Sequence, residues 1–96
     1  DWAQKQAGIV AQKSATSLKI CQRQLRDGLT LDFNACMRLE YRIVSRILTG
    51  HDFFEGTRAV VIDKDMAPRW KPATLRAVRN GEINAYFEPL PEELPV

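Results

Sequence analysis

Apolar residues return at intervals of three and four along most of this sequence, the spacing of helices that cover a core with one face. Trp2 to Gln12, rich in Ala, Gln and Lys with Gly8 as its weak point, predicts a first helix. In SLKICQRQLRDG, Leu18, Cys21 and Leu25 keep the helical interval, Thr16 and Ser17 are the expected caps, and Gly28 stands where the helix would stop. Lys19, Arg23 and Arg26 make the opposite stripe, read as a solvated face ahead of an anion site. The longest element runs from Thr30, an expected N-cap, to a left-handed stop at Gly50. Its broad apolar face contains Phe33, Cys36, Met37, Ile43, Val44, Ile47 and Leu48, with Arg38, Arg42 and Arg46 four apart elsewhere. Glu40 falls inside that face. A structural carboxylate, paired with an arginine of a neighbouring helix and Arg58 first, outweighs a catalytic acid there, because no partner group for chemistry lies nearby in sequence.

The stretch HDFFEGTRAVVIDKDMAPRWKP, from His51 to Pro72, begins as a helix and ends as an extended strap. Asp52 followed by Glu55 has the spacing of a capping box, which predicts a helix from Phe53 to about Ile62. Gly56 weakens that helix by about 1 kcal/mol relative to alanine, so something must approach closely there. Gly56 and Ala59 together predict a smooth patch for another helix. Beyond Asp63 the period breaks, and Pro68 and Pro72 impose an extended path that stays ordered only if Trp70 is buried. Pro72 can open a short helix through Val78, Asn80-Gly81 reads as a turn, and EINAYF as a last helical turn or two. The fold class is therefore all-α, with residues 1–88 as the helical unit and the acidic, proline-rich 89–96 as a tail outside the core.

Composition narrows the picture. Ninety-six residues make one domain, 45% hydrophobic and 27% charged, with a modest core. A net charge of +2 is too small to argue for nucleic acid, and no apolar run approaches the roughly 20 residues that span a bilayer. Nothing at the start reads as a secretory signal, and a first residue Asp1 in place of Met points to a piece of a longer chain. Cys21 and Cys36, with one histidine in the chain, make no obvious metal site and read as reduced core thiols.

TSLKICQRQLRDG, LEYRIVSRILTGHDFFEGTRAVVIDKD and PRWKPATL resemble the C-terminal region of 3-hydroxyisobutyryl-CoA hydrolases, in the crotonase (enoyl-CoA hydratase/isomerase) superfamily, from about Trp2 to Phe87. The specific part is DFFEGTRAVVIDKD followed by PRWKP. Crotonases generally carry D-x-x-E-G-x-x-A-F and then E-K-R, whereas this chain has Val60 at the aromatic and additional residues before Pro68, a form similar to the hydrolase branch. It also has Ala15 where Ser-Pro-Thr is usual.

The resemblance implies a small C-terminal domain of about four to six helices, without the N-terminal ββα spiral that holds the oxyanion hole and the catalytic carboxylates of such enzymes. No catalytic and no metal-binding residue is then expected here, and no cofactor, coenzyme A being part of the substrate. The expected partners are the protein's own catalytic spiral, an acyl-CoA, and a second copy of the chain wherever the spiral is missing. The resemblance also implies that the intact protein hydrolyses 3-hydroxyisobutyryl-CoA in valine breakdown, in the cytoplasm of a bacterium or the mitochondrial matrix of a eukaryote. An enoyl-CoA hydratase or isomerase and an autonomous helical module are the alternatives. For contact with coenzyme A, Lys64 matches the lysine of E-K-R, and Phe54 is the candidate wall for adenine. Lys64 has a competing reading, as an exposed lysine neutralised by Asp63 and Asp65.

Overall fold

The computed structural model describes residues 1–95, which contain five α-helices and no strand. They are α1 (Trp2–Ala11), α2 (Ala15–Gly28), α3 (Phe33–Ile47), α4 (His51–Thr57) and α5 (Asn80–Phe87). A π-helical turn, Arg58–Ile62, extends α4, and a 3-10 turn, Leu75–Ala77, precedes α5.

The first helix starts at Trp2 as expected, whereas the starts of α2, α3 and α4 lie one or more residues away from the expected ones, and side-chain oxygens explain those of α2 and α3. Ser14 caps α2 by accepting from the Ser17 amide at 3.3 Å, in place of Thr16 or Ser17. Asp32 caps α3 by accepting from the Ala35 amide at 2.8 Å, in place of Thr30. A carboxylate at that position also faces the positive end of the helix dipole. Gly50 is not left-handed: with φ −85° and ψ 157° it is the extended N-cap of α4. Asp52 therefore lies inside the first turn of α4, and no capping box forms with Glu55.

The core sits where α5 meets α2 and α3. Ala15 and Ile20 from α2, Leu39 and Ile43 from α3, and Val78, Ile83 and Phe87 from the C-terminal segment are buried together, with Ile47 and Tyr86 packed against them. Ile83 and Phe87, four residues apart, put one face of α5 against both larger helices. A segment expected to make a turn or two is thus the joint of the fold. Asn80 and Gly81 belong to its first helical turn instead of a separate turn, and no helix opens at Pro72.

The two arginine stripes serve as fasteners. Arg23 lies 4.3 Å from the Phe87 ring centre and donates to Asn84, so this one member of the stripe read as solvated covers the end of the core, while Arg26 is exposed. Arg46 donates to the carbonyls of Tyr86 at 3.0 Å, Glu88 at 2.6 Å and Pro89 at 3.4 Å, closing the C-terminal end of α5. Arg42 pairs with Glu93 at 2.6 Å, which ties residues 89–95 to α3 although they contribute no buried side chain.

Glu40 is exposed, against the expectation of a buried pair, because the inner line of α3 runs through Leu39 and Ile43. Cys21 is also exposed and Cys36 half-buried, so neither is a core thiol. Cys21 follows the buried Ile20 and is turned about 100° from it around the helix.

Candidate functional site

The segment singled out by sequence, His51 to Pro72, folds as a helix, a widened turn and a returning strap held by three ties, centred on a carboxylate, an indole and a guanidinium. Asp52, on α4, accepts from the Ser14 hydroxyl at 2.5 Å and from the Lys71 amide at 2.8 Å, and its Oδ1 lies 2.9 Å from Nδ1 of His51. Serine, aspartate and histidine meet here, yet the hydroxyl donates directly to the carboxylate and not to the imidazole. A nucleophile needs its base on the hydroxyl. The cluster joins α2, α4 and the strap and has no arrangement for covalent chemistry.

Trp70 provides the second tie. Its indole N–H donates to the carbonyl of Gln12 at 2.9 Å, and its ring lies flush against Gly56, where an added Cβ would meet ring carbons at 3.1 and 3.4 Å. The close approach expected at Gly56 exists, but the visitor is the strap's own indole and not another helix. Ala59, expected to share that patch, is fully buried.

Arg58 is the third centre. Its guanidinium donates to both oxygens of Glu55 at 2.8 and 2.7 Å, and its Nη1 donates to Asp63 at 2.9 Å and to Asp65 at 2.8 Å. Glu55 also accepts from the Arg69 amide at 2.7 Å. The Arg58 bond first, and the Arg69 amide second, hold the Glu55 carboxyl down at about 2, against 4.5 ordinarily. The same guanidinium, with the Ala67 amide, lowers Asp65. Reciprocally, these carboxylates raise Arg58. Arg58 thus has three acidic partners, none of them the expected Glu40.

The backbone under Arg58 is unusual. The Asp63 amide donates to the Arg58 carbonyl at 2.7 Å, five residues back, and the Met66 amide reaches the Ala59 carbonyl at 3.0 Å. Between these bonds Lys64 and Met66 adopt φ of 56° and 55°. A left-handed conformation costs a side-chain-bearing residue on the order of 1 to 2 kcal/mol, so it persists only where surrounding bonds fix it. Arg58 to Asp63, Arg58 to Asp65, and Asp65 Oδ1 to the Ala67 amide at 2.9 Å are such bonds.

Of the two predicted contact residues, Lys64 lies on this left-handed turn, exposed and without an ion-pair partner among the described residues. The aspartates of the competing reading, Asp63 and Asp65, are bonded to Arg58 and form no ion pair with Lys64. Phe54 is on α4, 60% exposed, with Phe53 against it edge to face at 5.7 Å. No interaction joins Phe54 to Lys64 among the described residues. Sequence reasoning missed Arg58, Asp52 and Glu55 as organisers. The available signal was an arginine with acids three residues before it and five and seven after it.

Among the described residues no group of histidine, cysteine or acidic side chains could hold a metal ion, and no helix is long and apolar enough to cross a membrane. Phe54 on α4, Val61 and Ile62 on the π-helical turn and Met66 just beyond it are exposed apolar side chains, the last three 63%, 70% and 66% exposed.

The family model described as enoyl-CoA hydratase/isomerase matches residues 1–87. The mitochondrial 3-hydroxyisobutyryl-CoA hydrolase of Rattus norvegicus is 45% identical over 89 residues, 93% of this chain and 23% of that protein. The hydrolases of Gallus gallus and Homo sapiens are 46% and 43% identical with the same coverage. A solved structure described as an enoyl-CoA hydratase from Rhodobacter sphaeroides 2.4.1 superposes with a TM-score of 0.79 at 35% identity, over 88% of this chain and 26% of that one. The chain belongs to the enoyl-CoA hydratase/isomerase family. It spans 23% of the length of the curated relatives it matches.

Proposed function

We propose that this chain is the C-terminal helical part of a 3-hydroxyisobutyryl-CoA hydrolase, packing on a catalytic spiral and bordering the pocket for coenzyme A. The observation that carries this reading is the 45% identity to a hydrolase of that name along nearly the whole chain. In the intact protein, water would attack the thioester carbonyl, the C–S bond would break, and 3-hydroxyisobutyrate and the thiol of coenzyme A would leave. The oxyanion donors and carboxylates for that step would come from the spiral. This chain would supply binding surface only. Thiol release from 3-hydroxyisobutyryl-CoA by the intact protein, and none by the 96-residue chain alone, is the expected result. Hydration of an enoyl-CoA by the intact protein without thioester hydrolysis would replace the reading with that of a hydratase, which the R. sphaeroides neighbour favours.

Lys64 would meet the 3'-phosphate of coenzyme A, and Phe54 would offer a wall to adenine. A lysine suits an exposed phosphate because its mobile point charge tolerates imprecise placement. Lys64→Ala in the intact enzyme should raise KM with little change in kcat, and an unchanged KM removes it from the site. The compartment would be the mitochondrion in a eukaryote, as the relatives' names have it, with the matrix as the finer reading, and the cytoplasm in a bacterium. The exposed apolar residues of α4 and its π turn, together with Leu25, Leu29 and Phe33, support burial against the spiral in the intact protein. Separated from it, the chain would self-associate; a scattering mass of 10.9 kDa at high concentration would count against that.

A further inference from the structure

We infer that Arg58 is a positioning residue for Lys64: by holding Asp63 and Asp65 it keeps the lysine ammonium unpaired and available to a phosphate of coenzyme A. The inference rests on the reading of Lys64 given above. Lys64 has a carboxylate immediately on each side in sequence, and two adjacent acids are the nearest competitors that any incoming anion would face. Both carboxylates are instead bonded to one Nη atom of Arg58, at 2.9 and 2.8 Å. The remaining nitrogens of that guanidinium are anchored on Glu55 at 2.8 and 2.7 Å, so the group is fixed on α4 and cannot follow the loop outward. A planar fork of five donors is suited to serve three carboxylates at once, and a lysine there would offer no comparable geometry. The same bonds hold the turn in which Lys64 and Met66 are left-handed. Remove the guanidinium, and Asp63 and Asp65 lose their partner beside an unpaired ammonium.

The test uses the intact enzyme and calorimetric titration with coenzyme A and with 3'-dephospho-coenzyme A, alongside KM and kcat for the CoA ester. Lys64→Ala should weaken coenzyme A by roughly ten-fold, the range of one charge-assisted bond, and leave the dephospho form unaffected. Arg58→Met should reproduce that loss with kcat little changed. The decisive variant adds Asp63→Asn and Asp65→Asn to Arg58→Met. Amides leave the ammonium free, so affinity for coenzyme A should return most of the way to wild type. A merely structural role for Arg58 gives no return, and that result overturns the inference while leaving Lys64 in the site. An unchanged affinity in Lys64→Ala overturns the Lys64 reading and the inference with it, whichever reaction the enzyme proves to catalyse. Should Arg58→Met not fold, Arg58→Lys replaces it, with the same loss and the same restoration by the two asparagines expected.

Discussion

Adding one methyl group at Gly56 tests whether the strap is held by a fitted indole or merely lies beside the helix. A Cβ built there meets Trp70 ring carbons at 3.1 and 3.4 Å, closer than ordinary contact, so the ring or the helix must give by a few tenths of an ångström. The ring is poorly placed to do so. Its N–H is bonded to the Gln12 carbonyl, and the residues on either side of it are bonded through their amides to Glu55 and Asp52. Overpacking of a fitted site costs about 1 to 3 kcal/mol, while alanine in place of glycine inside a helix contributes about 1 kcal/mol in the other direction. Gly56→Ala should therefore destabilise the chain by about 1 kcal/mol, a fall in Tm of roughly 4 to 8 °C for a domain of this size. In a Trp70→Ala background the clash is gone and the helix preference remains. The same Gly56→Ala change should then raise Tm by a similar amount. Thermal unfolding of the four proteins followed by circular dichroism gives the coupling, expected at about 2 kcal/mol. Additive effects, or a Gly56→Ala chain more stable than wild type, would refute the fitted contact.

Glu55 supplies a prediction in acid. Its carboxyl is lowered from 4.5 to about 2 in the folded chain, so between those values the unfolded chain binds more protons. The stability it contributes is complete above about pH 4.5 and is lost as pH falls toward 2; Glu55→Gln should therefore unfold with a shallower acid dependence across that window, and parallel profiles would sink the assignment. Arg46→Met removes the donors that close α5 and should cost about 1 to 2 kcal/mol, with faster amide exchange in α5 before other helices; uniform exchange would place the loss elsewhere. Glu40→Gln should leave stability within about 0.5 kcal/mol of wild type because the side chain is exposed, and a loss of several kcal/mol would show that it is paired.

The helical class, the breaks before α2, α3 and α4 and the extended strap were legible in the sequence, because each depends on a periodic or local property, whereas the start of α5 was not. Helical intervals of apolar residues set α2 and α3, and prolines end the helical path beyond Asp63. Motif spacing carried further than periodicity did, since DFFEGTRAVVIDKD and PRWKP placed the chain in the family that matches residues 1–87. Gly56 was also legible as a place of close approach, since a helix accepts a glycine at a cost only where something gains from the missing Cβ.

What approaches Gly56 was decided by the tertiary fold, as were the partners of every charged group that matters. Nothing local distinguishes an arginine that faces water from one that crosses to another helix, so Arg23, Arg42 and Arg46 gave no sign of fastening α5 and the tail. Which of the apolar positions on α3 face inward was equally undetermined. The broad stripe admits several rotations of the helix, and packing against α5 selected Ile43 from it, together with Leu39 outside the expected face, while leaving Phe33 and Val44 exposed. Lys64 shows the limit most sharply. Its sequence neighbours are two aspartates, and proximity along the chain makes them its natural partners. A chain that closes a widened turn and adopts two left-handed residues instead delivers both carboxylates to Arg58, because a guanidinium already anchored on Glu55 satisfies several oxygens at once and an ammonium on a flexible stem does not.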